Sequence, residues 1–334
     1  MQTEDAQTKT PFPSHFALDK MREGGASLNL LRKVITARQA LHFDKSANSA
    51  YDKRGGASMK SIIQKLSLVL FPVAVMTGCV STPQAPMQDT DAANAMLVEQ
   101  TALSVNWVQQ SGEYRALAYQ AFNTAKLMYD QSTVPSGKKR AVVADLDETL
   151  IDNSKEAAYS AVMHQPFEPK MWTEWCQAKQ ADAIPGAVEF SNYVNTHGGT
   201  MFFVSNRKTG DEYQPTVDNL KALGFKNVTD ETMLLKDKGS NKAERFKKIQ
   251  DMGYEIVMYL GDNLDDFTGD IYGKQNADRR AFVDSKKADF GVKYIVLPNP
   301  VYGGFEGGLA VDYFKKTPEE KLKIRKDNMK VWKR

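Results

Sequence analysis

The sequence predicts an α/β fold, a doubly wound and mostly parallel sheet with a smaller, largely helical cap region. Three observations carry that expectation. Short, nearly continuous apolar runs recur at residues 140–144, 200–204, 233–235, 255–260 and 293–298. Stretches with helical spacing separate them, and strands buried on both faces and joined by helices indicate a parallel sheet. Polar residues follow directly after the first four runs, at the edge where ligands of open parallel sheets bind.

The chain of 334 residues, 42% hydrophobic and 25% charged, has room for a sizeable core and for two domains at most. Its 44 Lys and Arg against 41 Asp and Glu leave a net charge of +3. No basic block is interleaved with aromatics, which argues against a nucleic acid polymer as partner. Two cysteines, Cys79 and Cys176, exclude a disulfide framework and a multi-cysteine zinc site. Cys176 reads as a packed thiol without a role.

Residues 1–58 are polar and lack a sustained period, so disorder is expected there, outside the mature protein. At Met59 a positive segment gives way to an apolar run over 66–76 and then to Thr77, Gly78 and Cys79. That order is a signal peptide, and the run is shorter than the ~20 residues that span a bilayer. Residues 59–79 resemble a bacterial lipoprotein signal, which implies lipid on Cys79, a membrane anchor and, with no Asp at the second mature position, the outer membrane of the cell envelope. The alternative is an apolar helix with an incidental cysteine. Residues 80–92 have the Ser, Thr, Pro and Gln bias of a flexible tether, so the folded domain is expected over 93–334.

Helical spacing over 91–130 suggests two helices broken near Ser111 and Gly112. The first apolar run then leads into Asp145-Leu-Asp147-Glu-Thr149, the second into Ser205-Asn206-Arg207, the third toward Ser240-Asn-Lys242, and the fourth into Gly261-Asp262-Asn-Leu-Asp265-Asp266. Four strand ends thus deliver carboxylates, a hydroxyl and a cation to one edge. Two carboxylates two residues apart can share a site yet take different protonation roles. A carboxylate from another strand end can help to bind a hard ion such as magnesium, and a hydroxyl with a lysine suits the charge on a transferring phosphoryl group.

The stretches 143–150 and 260–267, with Ser205, Arg207 and Lys242 between them, resemble the haloacid dehalogenase superfamily and, within it, class C acid phosphatases of the outer-membrane lipoprotein e type. The resemblance covers roughly residues 95–330. It implies a haloacid dehalogenase-like core, Asp145 as nucleophile, and Asp147 as general acid and base. It also implies Mg2+ held by Asp145, the Asp147 carbonyl and Asp262. Ser205 would bind the phosphoryl oxygens, Lys242 would neutralise the aspartyl-phosphate, and Asp266 would support Lys242 or metal-bound water. Asn206 and Arg207 are further substrate-binding candidates. Lys236 and Lys238 are the alternatives to Lys242, which is favoured because Ser240 is a good N-cap and would place Lys242 in the first turn of the next helix.

Residues 151–199 are too long for a plain crossover and should hold more than a connecting helix. In the resembling family, aromatics from this insertion and from beyond the last strand sandwich a nucleotide base, and here they match Trp172 and Tyr302. The implied substrate is a small phosphomonoester such as a nucleoside 5'-monophosphate or nicotinamide mononucleotide. Core packing is the alternative for both rings. His164 and His197 read as surface residues. The rival functional classes are a non-catalytic binding or adhesion lipoprotein, capturing haem or a host ligand, and a cytoplasmic enzyme of the same chemistry. The sequence is compatible with a homodimer and leaves the oligomeric state open.

Overall fold

The computed structural model describes residues 88–333; the expected disordered segment, signal, Cys79 and residues 80–87 of the expected tether lie outside the described residues, while residues 88–92 of that tether belong to a helix instead. Three helices open this region, α1 (Gln88–Glu99), α2 (Ala102–Gln110) and α3 (Gly112–Gln131). The break at Ser111 falls where expected, because its hydroxyl accepts from the Tyr114 amide at 3.0 Å and caps α3. The earlier break was not expected. Neither Gly nor Pro marks it; Thr101 turns the chain there by donating to the Val98 carbonyl at 2.6 Å.

The strand β1 (Lys139–Ala144) is followed by the insertion, with β2 (Ile151–Asp152), α4 (Ser154–Met163), α5 (Pro169–Ala178), β3 (Asp182–Ala183) and α6 (Ala187–Thr196). Two helices and a small antiparallel pair, Ile151 opposite Ala183, therefore exceed a simple crossover. The chain continues through β4 (Gly199–Lys208), α7 (Tyr213–Ala222), β5 (Met233–Lys236), α8 (Ala243–Asp251), β6 (Tyr254–Gly261), α9 (Asn276–Ser285) and β7 (Tyr294–Val296), closing with α10 (Gly304–Gly307) and α11 (Pro318–Asp327).

The five long strands form one parallel sheet in the order β5-β4-β1-β6-β7. Side-chain alternation divides its core. Val142 and Ala144 face one side with Phe122 of α3, Phe190 and Val194 of α6 and Leu220 of α7. Ala141 and Val143 face the other with Phe246 and Ile249 of α8. Both faces are covered, as a doubly wound sheet requires. The chain leaves β1 toward β4, then returns past it to β6. The switch point therefore lies beyond the carboxyl end of β1, the crevice where such sheets bind ligands. Among the described residues no helix is long and apolar enough to cross a membrane.

Candidate active site

Asp145 is the first residue past β1, and its amide continues the ladder by donating to the Leu260 carbonyl at 3.0 Å. Its Oδ1 meets the Lys242 ammonium at 2.5 Å, and the same ammonium lies 2.7 Å from Asp266. Lys242 is buried, one residue ahead of α8, where the Asn241 side chain accepts from the Ala243 amide at 3.0 Å. Asn241, not Ser240, thus serves the helix start. Lys242 occupies the cap position itself, and the arrangement turns its amine into the site.

Asp262 ends β6. The Asp262 amide donates to the Thr149 hydroxyl, which donates back to Oδ1, each at 3.0 Å, and Asn299 donates to Oδ2 at 2.9 Å. Asp266 follows on a 3-10 turn, and its carboxylate accepts from the Asn263 amide at 3.0 Å. A Cβ on Gly261 would collide with the Cβ of Asp266, so the backbone there must be glycine.

Oxygens of Asp145, Asp262 and Asp266 all lie within 4.8 Å of one another. Burial raises the Asp145 carboxyl to about 7 against the pull of Lys242, with Asp266 and Asp147 adding to the rise. Burial, then Asp266 and Asp145, pushes Asp262 well above the usual range. One ammonium does not answer three closely spaced carboxylates, and a divalent cation with oxygen ligands fits that deficit.

Asp147 sits on the opposite side, toward β4. Its Oδ1 accepts from Arg207 Nε and Asn153 Nδ2, both at 2.9 Å, and pairs with Arg207 Nη2 at 2.8 Å. Its Oδ2 accepts from the Ser205 hydroxyl at 3.3 Å. Strand period explains this convergence. β4 runs to Lys208, beyond the expected end at 204, because pairing with β5 resumes at Lys208 and Lys236. Ser205 and Arg207 therefore share a face and both reach Asp147, while Asn206 points away and accepts from Arg245 at 2.6 Å.

That geometry changes the expectation for Arg207. Its side chain is 1% exposed, and its nitrogens are held by Asp147, Asn153 and Thr216, so it braces an acid from beneath rather than meeting substrate. Glu148, in the left-handed region with φ 56°, is also buried. It accepts from the Asn153 amide at 2.8 Å and from the Tyr302 hydroxyl. Trp172 lies 5.6 Å from the Arg207 guanidinium and 6.2 Å from Phe167. Trp172 and Tyr302 thus both border the Asp147 side, one from the insertion and one from beyond β7.

Residues outside the expected set complete the site. Glu148 and Thr149 lie within the first motif, whereas Asn153, three residues beyond it, had no signal of its own. Asn299 had no signal beyond its place after the last strand. Cys176 is buried and its thiol is pushed up to about 12 by burial, which fits a packed and unreactive group. His164 pairs with Glu99 at the surface at 2.8 Å, and His197 stacks on Tyr193.

The model of the HAD superfamily, subfamily IIIB (acid phosphatase), matches residues 73–305. The class C acid phosphatase from Bacillus anthracis is 40% identical and superposes with a TM-score of 0.67 over 71% of this chain and 99% of its own. Its tungstate-bound form gives 0.66 at the same identity and coverage. The stem 28 kDa glycoprotein of Glycine max is 26% identical over 213 residues, 61% of this chain and 74% of its own length. A stem 31 kDa glycoprotein of the same plant is 27% identical over 164 residues, 47% and 57% of the two chains. The sheet, the acids beyond β1 and β6 and this likeness converge on one assignment: the chain belongs to subfamily IIIB of the HAD superfamily and is a class C acid phosphatase.

Proposed function

We propose that this acid phosphatase is magnesium-dependent, works through a phosphoryl group carried on Asp145, and acts on nucleoside monophosphates, including nicotinamide mononucleotide. The observation that carries the reading is the division of labour between two acids two residues apart. Asp145 faces an ammonium and the carboxylate cluster; Asp147 faces a guanidinium, an amide and a hydroxyl. Such separated environments let one carboxylate attack while its neighbour exchanges protons.

Asp145, Asp262, the Asp147 carbonyl and Asp266 would hold Mg2+, which when bound would supply the charge that offsets repulsion between an aspartate nucleophile and a phosphate. The chain's own groups do the rest. Lys242 neutralises charge gathering on Asp145 and the phosphoryl oxygens, and Ser205 offers its hydroxyl to the same group. Asp147 protonates the leaving oxygen and then takes a proton from water. Trp172 and Tyr302 offer aromatic faces to a base, and stacking tolerates many bases. Lipid on Cys79 would hold the enzyme at the cell envelope; mass spectrometry of the mature N-terminus tests this, and an unmodified Cys79 would sink it.

Rapid acid quench during turnover should leave phosphate on Asp145 of the wild type. Asp145→Asn should trap none and lose on the order of 10^4-fold in kcat or more. Magnesium-dependent turnover that survives this substitution rejects the nucleophile.

A further inference from the structure

Asn153 occupies the N-cap position of α4, where an asparagine ordinarily accepts from a helix amide, yet its side chain caps nothing. It is 2% exposed and turned inward. Its Nδ2 donates to Asp147 Oδ1 at 2.9 Å and to Glu148 Oε2 at 3.2 Å. Its Oδ1 accepts from Trp175 Nε1 at 2.8 Å and from Arg207 Nη2 at 3.0 Å. Both amide protons and the carbonyl oxygen are thus fully used, and only one orientation of the amide satisfies two carboxylates on one side and two N–H donors on the other.

We propose that Asn153 is a positioning residue that fixes the orientation of Asp147, so that Oδ2 and not Oδ1 faces the leaving group. The proposal rests on the reading of Asp147 as the general acid. Oδ1 lies among N–H groups of Arg207 and Asn153, which keeps that oxygen an acceptor; Oδ2 has only the Ser205 hydroxyl, at 3.3 Å. In the step served, an Asp145 oxygen bonds to phosphorus as the bond from phosphorus to the leaving oxygen breaks. The Asp147 proton passes to that oxygen, giving a neutral alcohol and an Asp147 carboxylate. Water then attacks the phosphoryl group and returns a proton to Asp147, releasing phosphate and restoring Asp145. Arg207 alone cannot set the orientation, because its guanidinium is itself held by Asn153 Oδ1 and by Thr216. Trp175, on α5 of the insertion, ties the amide to a second element.

A proton on the leaving oxygen matters most where that oxygen leaves badly. The test compares an alkyl phosphomonoester with p-nitrophenyl phosphate, whose phenolate departs with little protonation, on the full chain with magnesium present. Asp147→Asn should lose ~100-fold or more on the alkyl ester and far less on the aryl ester. Asn153→Ala should show the same selectivity at ~10–100-fold, the loss that a misplacement of about 1 Å brings. Equal losses on both esters for Asn153→Ala, beside a selective Asp147→Asn, overturn the positioning role while leaving the general acid in place. Equal losses for Asp147→Asn overturn the general acid and the inference with it. If Asn153→Ala fails to fold by thermal unfolding, Trp175→Phe is measured in its place, since it deletes only one donor to the amide. A selective loss of a few-fold supports the proposal, and none or an unselective one overturns it.

Discussion

On the β6 side of the site, Asp145, Asp262 and Asp266 share a single buried cation, Lys242. On the β4 side, Asp147 and Glu148 meet Arg207, both amide protons of Asn153 and the Tyr302 hydroxyl. In the second group the chain supplies a hydrogen bond to every carboxylate and leaves one charge unanswered, with Glu148 pushed well above the usual range by burial, Asp147 and Asp262; the first group leaves two charges unanswered. A buried charge without a partner is expensive, so an ion would stabilise the β6 side more than the β4 side. One sheet edge thus holds a more self-sufficient half and a more dependent half.

The largest effect expected from that contrast is on the dependent half. Asp262→Asn should raise the magnesium concentration for half-maximal activity by at least the ~10–100-fold that loss of an outer-sphere partner already brings. A titration of activity against magnesium checks it, and an unchanged midpoint would break the comparison. The self-sufficient half borders the aromatics. Trp172→Ala should raise KM for a nucleoside monophosphate ~5-fold or more, since stacking contributes about 1–3 kcal/mol per base, while KM for an alkyl phosphate stays put. Equal rises on both would reject stacking.

The smallest effect concerns stability. With the Asp145 carboxyl raised from its usual 3.8 to about 7, the folded protein holds a proton in that window that the unfolded chain releases. Metal-free enzyme should therefore be most stable below pH ~4 in this respect and lose that contribution as pH rises toward 7. Magnesium should flatten the decline, and so should Asp145→Asn. Melting curves with the same pH slope with and without magnesium would count against an ion in the carboxylate cluster.

The strands were legible because burial on both faces leaves runs such as Val142-Val143 and Phe202-Phe203 with no polar alternation to obscure them. The carboxylates were legible because their spacing follows directly from those strands. Roles set by partners far away in sequence were not. Arg207 looked like a substrate ligand from its place beside Ser205, and only the shared strand face, together with Asn153 and Thr216, turns it beneath Asp147. The extension of β4 through four polar residues depends on pairing with β5, which leaves no local pattern. Ser240 has the chemistry of a cap, and Asn241, one residue later, takes the role because Lys242 must reach Asp145. Asn153 was hidden for the opposite reason: an asparagine at a helix start already has an ordinary explanation.

Gly261 sets a limit of another kind. Every missense change reachable from a glycine codon by one base installs a Cβ, and here that atom would enter the space of Asp266. Variation at this position would disable the enzyme while leaving every acid, hydroxyl and amine of the site in place. Natural or laboratory variants could therefore keep the whole catalytic signature and still be silent, with the defect in a residue that contributes no functional group.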